Sequence, residues 1–142
     1  MARTTAAADP QLIAFTVPGI PASVRIARSH VRAALGRRGL GEFADDAAAI
    51  TSELVTNAVE HVCGPGAGPI GVTLALAWDP VRVTVTVSDS SPEGPVRRDA
   101  PAGSERGRGL QIVAALSARW GWHRHGDGKA VFAVLAPGGM TQ

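Results

Sequence analysis

Between Ile50 and Cys63 the chain reads ITSELVTNAVEHVC. Apolar residues recur there at intervals of three and four, which is the spacing of an α-helix that lays one face on a core. They are Ile50, Leu54, Val55, Ala58, Val59 and Val62. Glu53, Asn57 and His61 follow one another at one-turn intervals, so they line one side of that helix. A carboxylate and a carboxamide stacked at the border of an apolar face are unusual in a purely structural helix.

Length and composition describe a single globular domain. The chain has 142 residues, of which 45% are hydrophobic and 18% are charged, and this supports one compact core. No apolar run approaches the roughly 20 residues that span a bilayer, and the segment before residue 11 lacks the apolar region of a signal peptide. Cys63 is the single cysteine, which excludes an internal disulfide and suits a reducing compartment. We therefore expect a soluble cytoplasmic protein without membrane contact.

The charge pattern gives little support to nucleic-acid binding. The formal net charge is +2, and Lys129 is the single lysine among 14 basic residues. Arg25, Arg28 and Arg32 would share a helix face, but a solvated face explains them. Because no recognised motif or interleaved aromatic residue accompanies this charge, direct nucleic-acid binding is not expected.

Periodicity predicts helices and strands joined by turns. Residues 1–10 are expected to be a flexible tail, residues 11–137 a single domain and residues 138–142 a C-terminal tail. Strands are predicted over residues 12–17, 70–78, 81–88, 120–125 and 129–135, and helices over residues 23–38, 42–63 and 109–120, with Ser23 as the cap of the first helix. Hairpins outnumber regular crossover units, which favours an α+β fold: a two-layer sandwich of a mixed β-sheet with helices on one face.

Two segments carry side chains suited to chemistry. A carboxylate such as Glu53 can orient or deprotonate a nucleophile, and the carboxamide oxygen of Asn57 is a hard ligand that suits Mg²⁺. Asp89 stands at the end of a hydrophobic strand, before Ser90-Ser91-Pro92. A buried acceptor there could take a hydrogen bond from the exocyclic amine of adenine, although an Asp before a Ser-Pro turn is more often a turn residue.

A third segment, residues 103–110, reads GSERGRGL. Its glycines permit close approach of the backbone, and the N–H groups at the start of the following helix form a natural phosphate site. The segment is not the dinucleotide fingerprint, which needs a strand immediately before it and a different spacing. It is also not a Walker loop, because Gly-Lys-Ser/Thr is missing.

The order and spacing of the three segments resemble the Bergerat-fold ATPase superfamily of gyrase, heat-shock chaperones, mismatch-repair ATPases and histidine kinases. Residues 53–58, with His61, resemble its asparagine box. Residues 89–92 resemble a reduced first glycine box, and residues 107–110 resemble the second. The resemblance covers about Pro18 to Leu135. It is strongest to the small anti-sigma factors that are serine/threonine-protein kinases, including actinobacterial regulatory ATP-binding proteins.

The resemblance implies the histidine-kinase-like ATPase fold, with ATP and Mg²⁺ as cofactors. It implies that Glu53 is the base acting on an incoming hydroxyl, that Asn57 coordinates Mg²⁺ and that Asp89 contacts adenine. A lid over residues 93–106 would close the site, and Arg106 or Arg108 would neutralise charge on the γ-phosphate. The remaining nucleotide-binding positions implied by the resemblance are Pro92, Gly107, Gly109 and Leu110.

The implied function is that of a kinase in transcription regulation that phosphorylates a serine of a small antagonist protein. A sigma factor would be its second partner, and relatives of this kind often form homodimers. In the family, a threonine that supports the adenine site commonly follows the Gly-Lys pair of the last strand, whereas Ala130 follows Gly128-Lys129 here. That loss of a hydroxyl favours an alternative, a non-catalytic ATP-binding interaction module. A severed histidine-kinase catalytic domain is a third hypothesis, although no dimerisation helix with a phosphoacceptor histidine is recognisable.

Overall fold

The computed structural model describes residues 11–62, 71–89, 109–126 and 128–137. Their elements are β1 (Gln11–Pro18), α1 (Ser23–Arg37), a 3₁₀ turn (Gly41–Phe43), α2 (Ala44–Val62), β2 (Gly71–Trp78), β3 (Val83–Asp89), α3 (Gly109–Leu116), β4 (Arg119–His125) and β5 (Gly128–Leu135). Within this part of the chain, no helix is long and apolar enough to cross a membrane. The tails predicted over residues 1–10 and 138–142 lie outside the described residues.

The five strands form one sheet in the order β1-β2-β3-β5-β4, and all neighbouring pairs are antiparallel. The predicted hairpins β2–β3 and β4–β5 are confirmed. The α+β class is also confirmed, but the sheet is not mixed as predicted. Strands β3 and β4 run parallel to each other, yet they do not pair because β5 lies between them.

The core lies between the sheet and the helices. Helix α2 packs on β3 and has α1 and α3 as neighbours. Every second residue of the central strands is buried on the helix-facing side of the sheet, as the alternating pattern predicts. These residues are Val72, Leu74 and Leu76 of β2, Val83, Val85 and Val87 of β3, and Val131, Ala133 and Leu135 of β5. Burial of each larger apolar side chain among them stabilises the fold by about 1.5–3 kcal/mol, so the position of α2 over the sheet is firmly set.

Two local predictions at the ends of elements are wrong. Ser23 is the first residue of α1 and not its cap: its hydroxyl donates a 2.6 Å hydrogen bond to the carbonyl oxygen of Pro18, which ties the start of α1 to the end of β1. The strand predicted over residues 81–88 begins only at Val83, and Val81 is 54% exposed. It lies in the β2–β3 turn, where the Asp79 carboxylate accepts hydrogen bonds of 2.8 Å from the backbone N–H groups of Val81 and Arg82.

The third helix is shorter than predicted. Its apolar spacing extends to Trp120, but α3 ends at Leu116 and Trp120 lies in β4. The backbone N–H of Ala118 donates to the carbonyl oxygen of Val134 at 2.7 Å. Pairing with β5 therefore draws the chain into the sheet just after the helix ends.

Candidate nucleotide-binding site

Helix α2 presents Glu53 and Asn57 on one side, one turn apart, and both residues are half-buried. The adjacent residues Leu54 and Val55 are buried in the core. Because these apolar neighbours fix the rotation of the helix, the two polar side chains are held at the border of the core, as predicted. His61 lies in the same helix.

The Glu53 side chain lies against the first residue of α3. A Cβ added to Gly109 would be 2.9 Å from Oε1 of Glu53 and 3.6 Å from its Cβ, so a side chain there would displace the end of the flexible Glu53 side chain. Helix α3 begins at this glycine, and the first four N–H groups of a helix lack intrahelical partners. The Glu53 carboxylate therefore stands beside the start of α3, and the expected approach of the Gly109 backbone to phosphate stays a prediction.

Leu110 follows Gly109 in the first turn of α3. The side chain is buried, so a contact with a bound nucleotide would come from the N–H group in the first turn of α3. Pro92, Arg106, Gly107 and Arg108 lie outside the described residues, as does the lid expected over residues 93–106. Their roles stay predictions.

Asp89 is the last residue of β3, and it faces the helical layer together with the valines of that strand. It is buried and bonded to a basic side chain: Nζ of Lys129 donates to Oδ2 of Asp89 at 2.7 Å. Both side chains are only 1% exposed. The two residues are directly opposite each other in the β3–β5 register. This pairing excludes the simple interpretation of Asp89 as an exposed turn residue.

Sequence reasoning missed the role of Lys129. The register with β3 puts Lys129 on the same buried face as Val131, Ala133 and Leu135, but β5 is apolar from Ala130 to Leu135, so its sequence does not mark that face. A lysine on such a face needs a partner of opposite charge. The pattern does not reveal which strand supplies that partner.

The expectation attached to Ala130 is wrong. Ala130 pairs with Ser88 on β3 and with His123 on β4. Its side chain therefore lies on the opposite face of the sheet from Asp89, because successive residues of a strand alternate. A hydroxyl at this position would point away from Asp89, whereas Lys129 occupies the position that faces it.

The donor set suits a magnesium ion held mainly by its nucleotide. Among the described residues, no group of three or more His, Cys, Asp or Glu side chains could hold a metal ion. Mg²⁺ keeps several waters and is bound through one or two protein ligands together with substrate phosphates. Asn57, one turn from Glu53 on the same side of α2, offers one amide oxygen of this kind.

The structure thus places Glu53 beside the start of α3 and buries Asp89 at the end of β3, on the side of the sheet that faces the helices. A sequence model of the histidine kinase-like ATPase domain matches residues 17–135. The chain belongs to this family, and the predicted superfamily is confirmed. Membership of this family implies ATP as the nucleotide.

The structure is similar to the crystal structure of the RsbU and RsbW domains of Rv1364c from Mycobacterium tuberculosis. The TM-score is 0.61 at 22% sequence identity, and the match covers 89% of this chain but only 32% of that one. At this identity the likeness shows the shared fold. No curated protein sequence matches the chain at a significant level.

Proposed function

We propose that the protein is an ATP- and Mg²⁺-dependent serine/threonine-protein kinase that phosphorylates a serine of a small antagonist protein. In this way it acts as an anti-sigma-factor-type switch. The observation that carries the proposal is the contact between Glu53 and Gly109, which sets a carboxylate beside the start of α3. Family membership implies that the nucleotide is ATP, and the phosphates of a nucleotide are expected at the start of a helix.

The start of α3 suits the triphosphate. The backbone N–H groups of Gly109 and Leu110 belong to the first turn of a helix, where partners are missing within the helix and the dipole is positive. The buried side chain of Leu110 anchors that turn. Mg²⁺, when bound, would neutralise phosphate charge, and the amide oxygen of Asn57 would be its protein ligand.

Glu53 is the proposed general base. As the serine oxygen forms a bond to the γ-phosphorus, the hydroxyl proton moves to the Glu53 carboxylate. The bond between the γ-phosphorus and the β,γ-bridging oxygen breaks, and ADP leaves. A positioned base of this kind typically contributes about 10²–10⁴ in rate. Asp89 would accept a hydrogen bond from the amine of adenine at the other end of the nucleotide.

The proposed protein partners are a sigma factor and the antagonist that carries the target serine, both in the cytoplasm. A homodimer is the proposed assembly, and light scattering of the purified protein tests it.

The alternative is a non-catalytic ATP-binding module that uses the nucleotide only to order its partner surface. Its support came from Ala130. Because Ala130 lies on the opposite face of the sheet from Asp89, that support is withdrawn and the kinase is the better proposal.

Phosphoryl transfer to the antagonist tests the kinase proposal. Radiolabelled ATP, Mg²⁺ and the antagonist should yield phosphoserine with the wild-type protein. Glu53→Gln keeps the size of the side chain and its contact with Gly109 but removes the base, so we expect a loss of about 10²–10⁴ in rate. Glu60→Gln, on the exposed side of the same helix, is the matched control and should transfer normally.

Two results would contradict the kinase. An ATP-bound wild-type sample that labels no antagonist would do so directly. Regulation of the sigma factor that survives Glu53→Gln would instead support the non-catalytic module.

A further inference from the structure

Strand β4 forms one edge of the sheet. It pairs with β5 on one side, and no other described strand pairs with it. An edge strand presents a row of backbone N–H and C=O groups that can continue the sheet into another chain, and proteins often block such edges with proline or a bulge. Strand β4 has neither, because its register with β5 is unbroken from Arg119 to His125.

The side chains of β4 are basic and aromatic. Its sequence, RWGWHRH, holds two arginines, two histidines and no acidic residue, whereas β1 at the other edge of the sheet has no charged residue. Opposite charges stabilise a pair of strands and like charges destabilise it. A second copy of β4 would bring basic side chains against basic side chains, so this edge favours a strand that carries acidic ones.

Arg119 lies beside an aromatic ring on the face of the sheet opposite the helices. Its guanidinium is 5.9 Å from the ring centroid of Phe132 on β5. Gly121, the next residue of β4 on this face, leaves the ring uncovered: a Cβ there would be 3.0 Å from Phe132. Among the described residues, no carboxylate forms an ion pair with Arg119. The arginine is therefore exposed and oriented beside β4, which lowers the entropy lost when it binds an acidic group.

The helix-facing side of β4 carries two of the three tryptophans of the chain, Trp120 and Trp122. Trp120 packs against the core, but Trp122 is 42% exposed. Tryptophan and arginine are enriched among the residues that contribute most of the binding energy in protein interfaces. A strand added beside β4 would therefore be expected to cover Trp122 with an apolar side chain.

We propose that the edge of β4 binds an extended segment of another protein as a sixth strand of the sheet. The segment is acidic on the face that meets Arg119 and apolar on the face that meets Trp122. Main-chain hydrogen bonds provide the pairing, and the side chains determine which partner fits. A nucleic acid would match the charge but has no peptide backbone to continue the sheet. The surface contains no residue of the candidate nucleotide site, so the inference goes beyond the proposed function and does not rest on it.

Two synthetic peptides test the charge preference on the full-length protein. Each is as long as β4, which has seven residues, and one alternates Glu with Val while the other alternates Lys with Val. Fluorescence anisotropy measures their dissociation constants. We expect saturable binding of the Glu peptide and binding of the Lys peptide that is weaker by about tenfold or more.

Charge reversal at Arg119 should exchange this preference. Arg119→Glu should weaken binding of the Glu peptide and strengthen binding of the Lys peptide, each by about tenfold. Arg28→Glu makes the same change of charge on the exposed surface of α1 and is the matched control, which should bind both peptides like the wild type.

Truncation of the exposed tryptophan tests the apolar side of the surface. Trp122→Ala should weaken binding of both peptides by about tenfold, because both present valine to that side chain. Leu12→Ala is the matched control, since it truncates a side chain that is 66% exposed on the opposite edge strand. It should leave both affinities unchanged.

Hydrogen exchange tests whether the peptide adds as a strand. Backbone N–H groups of β4 should exchange more slowly when the Glu peptide saturates the protein, and those of β1 should not change. A Glu peptide that is methylated on its amide nitrogens keeps its charge but cannot donate main-chain hydrogen bonds. Its binding should be weaker by about tenfold or more.

Several results would overturn the inference: absence of saturable binding, equal affinity for the Glu and Lys peptides, or unchanged exchange at β4 in the complex. A dimer that Trp122→Ala dissociates in light scattering would assign the edge to a second copy of the chain. Displacement of the Glu peptide by an equal concentration of single-stranded DNA would assign it to a nucleic acid. None of these measurements involves ATP, so phosphoryl transfer remains a separate test of the proposed function.

Discussion

Oε1 of Glu53 lies 2.9 Å from the point at which any side chain on residue 109 would place its Cβ. Among the described glycines, positive φ angles occur at Gly39 and Gly126 and not at Gly109. A side chain at residue 109 would therefore disturb the position of Glu53, whereas the backbone conformation there does not require glycine. A methyl group on residue 109 would therefore move the carboxylate of Glu53, the proposed base, away from its present position beside the start of α3.

Gly109→Ala should impair phosphoryl transfer more than ATP binding. The added methyl group would push the Glu53 carboxylate aside, and a shift of about 1 Å at a reacting group can cost about 10²-fold in rate. Alanine is also the better helix former, by about 1 kcal/mol, so the variant should stay folded. The measurements are the transfer rate to the antagonist and the dissociation constant of ATP.

Gly36→Ala is the matched control for that substitution. Gly36 lies in α1, and a Cβ there would have nothing within 4 Å. The free energy of unfolding should rise by about 0.5–1 kcal/mol, because glycine is unfavourable in a helix, while transfer stays at the wild-type rate. Equal transfer by Gly109→Ala and the wild type would reject the role assigned to the Glu53–Gly109 contact.

Leu54→Ala should destabilise the fold strongly. Leu54 is 2% exposed and belongs to the central core, so its truncation leaves a cavity and should cost about 2–5 kcal/mol. Urea unfolding followed by circular dichroism measures the change. Leu12→Ala, at a side chain that is 66% exposed on the edge strand β1, should change stability by no more than about 0.5 kcal/mol. Similar losses in the two variants would contradict the observed core.

Asp79→Ala should lower stability in a pH-dependent way. The backbone N–H of Val81 is the main cause that lowers the pKa of Asp79 from its ordinary value of 3.8, and the N–H and charge of Arg82 add to it. A lowered pKa means that the folded state favours the carboxylate. Its stabilising effect is therefore complete above the ordinary pKa and is lost as the pH falls through the lowered pKa.

The difference in melting temperature between Asp79→Ala and the wild type measures this effect. We expect the wild type to melt higher at pH 7 and the gap to narrow below about pH 4, where the carboxylate takes up a proton. If the difference in melting temperature stays constant from pH 7 to below about pH 4, the charge of Asp79 does not contribute to the stability of the turn.

Local periodicity was enough to predict most elements of this fold. Alternating valines predict β3, and the three-and-four spacing around Glu53 predicts α2. Each pattern arises because one side of the strand or helix packs against the core. The failure at Trp120 has the same origin. Trp120 stands four residues after Leu116 and so fits the helical spacing. The backbone N–H of Ala118, however, donates to the carbonyl oxygen of Val134 in β5, so the chain continues as a strand and not as a helix. A bond to a distant strand leaves no trace in a local pattern.

The sequence suggests which residue types belong to the candidate site, but it does not suggest their contacts. Glu53, Asn57 and Asp89 stand out in the sequence because each places a carboxylate or an amide at the edge of an apolar pattern, where a polar group suggests a function. The partner of Asp89 is 40 residues away in the chain. It depends on the insertion of β5 between β3 and β4, which short-range patterns do not encode. The sequence also does not show which face of the sheet the Ala130 side chain lies on, because that depends on the register of β5 with β3.

Asn57→Ala should remove the magnesium-dependent part of ATP binding. Asn57 is half-buried one turn after Glu53, and Mg²⁺ uses few protein ligands. The loss of one amide oxygen should therefore weaken binding in the presence of Mg²⁺ by tenfold or more, or about 1.4 kcal/mol. Calorimetric titrations with ATP, carried out once in Mg²⁺ and once in EDTA, separate the magnesium-dependent part of the affinity from the magnesium-independent part.

Asn57→Asp is the control for the same position, because it keeps an oxygen ligand and should retain a magnesium-dependent gain in affinity. ATP affinity measured in EDTA should be nearly equal in the wild type and Asn57→Ala, since the proposed phosphate contacts of α3 and the proposed base contact of Asp89 do not involve residue 57. If Mg²⁺ strengthens ATP binding by the same factor in Asn57→Ala and in the wild type, the metal is held elsewhere and Asn57 is not its ligand.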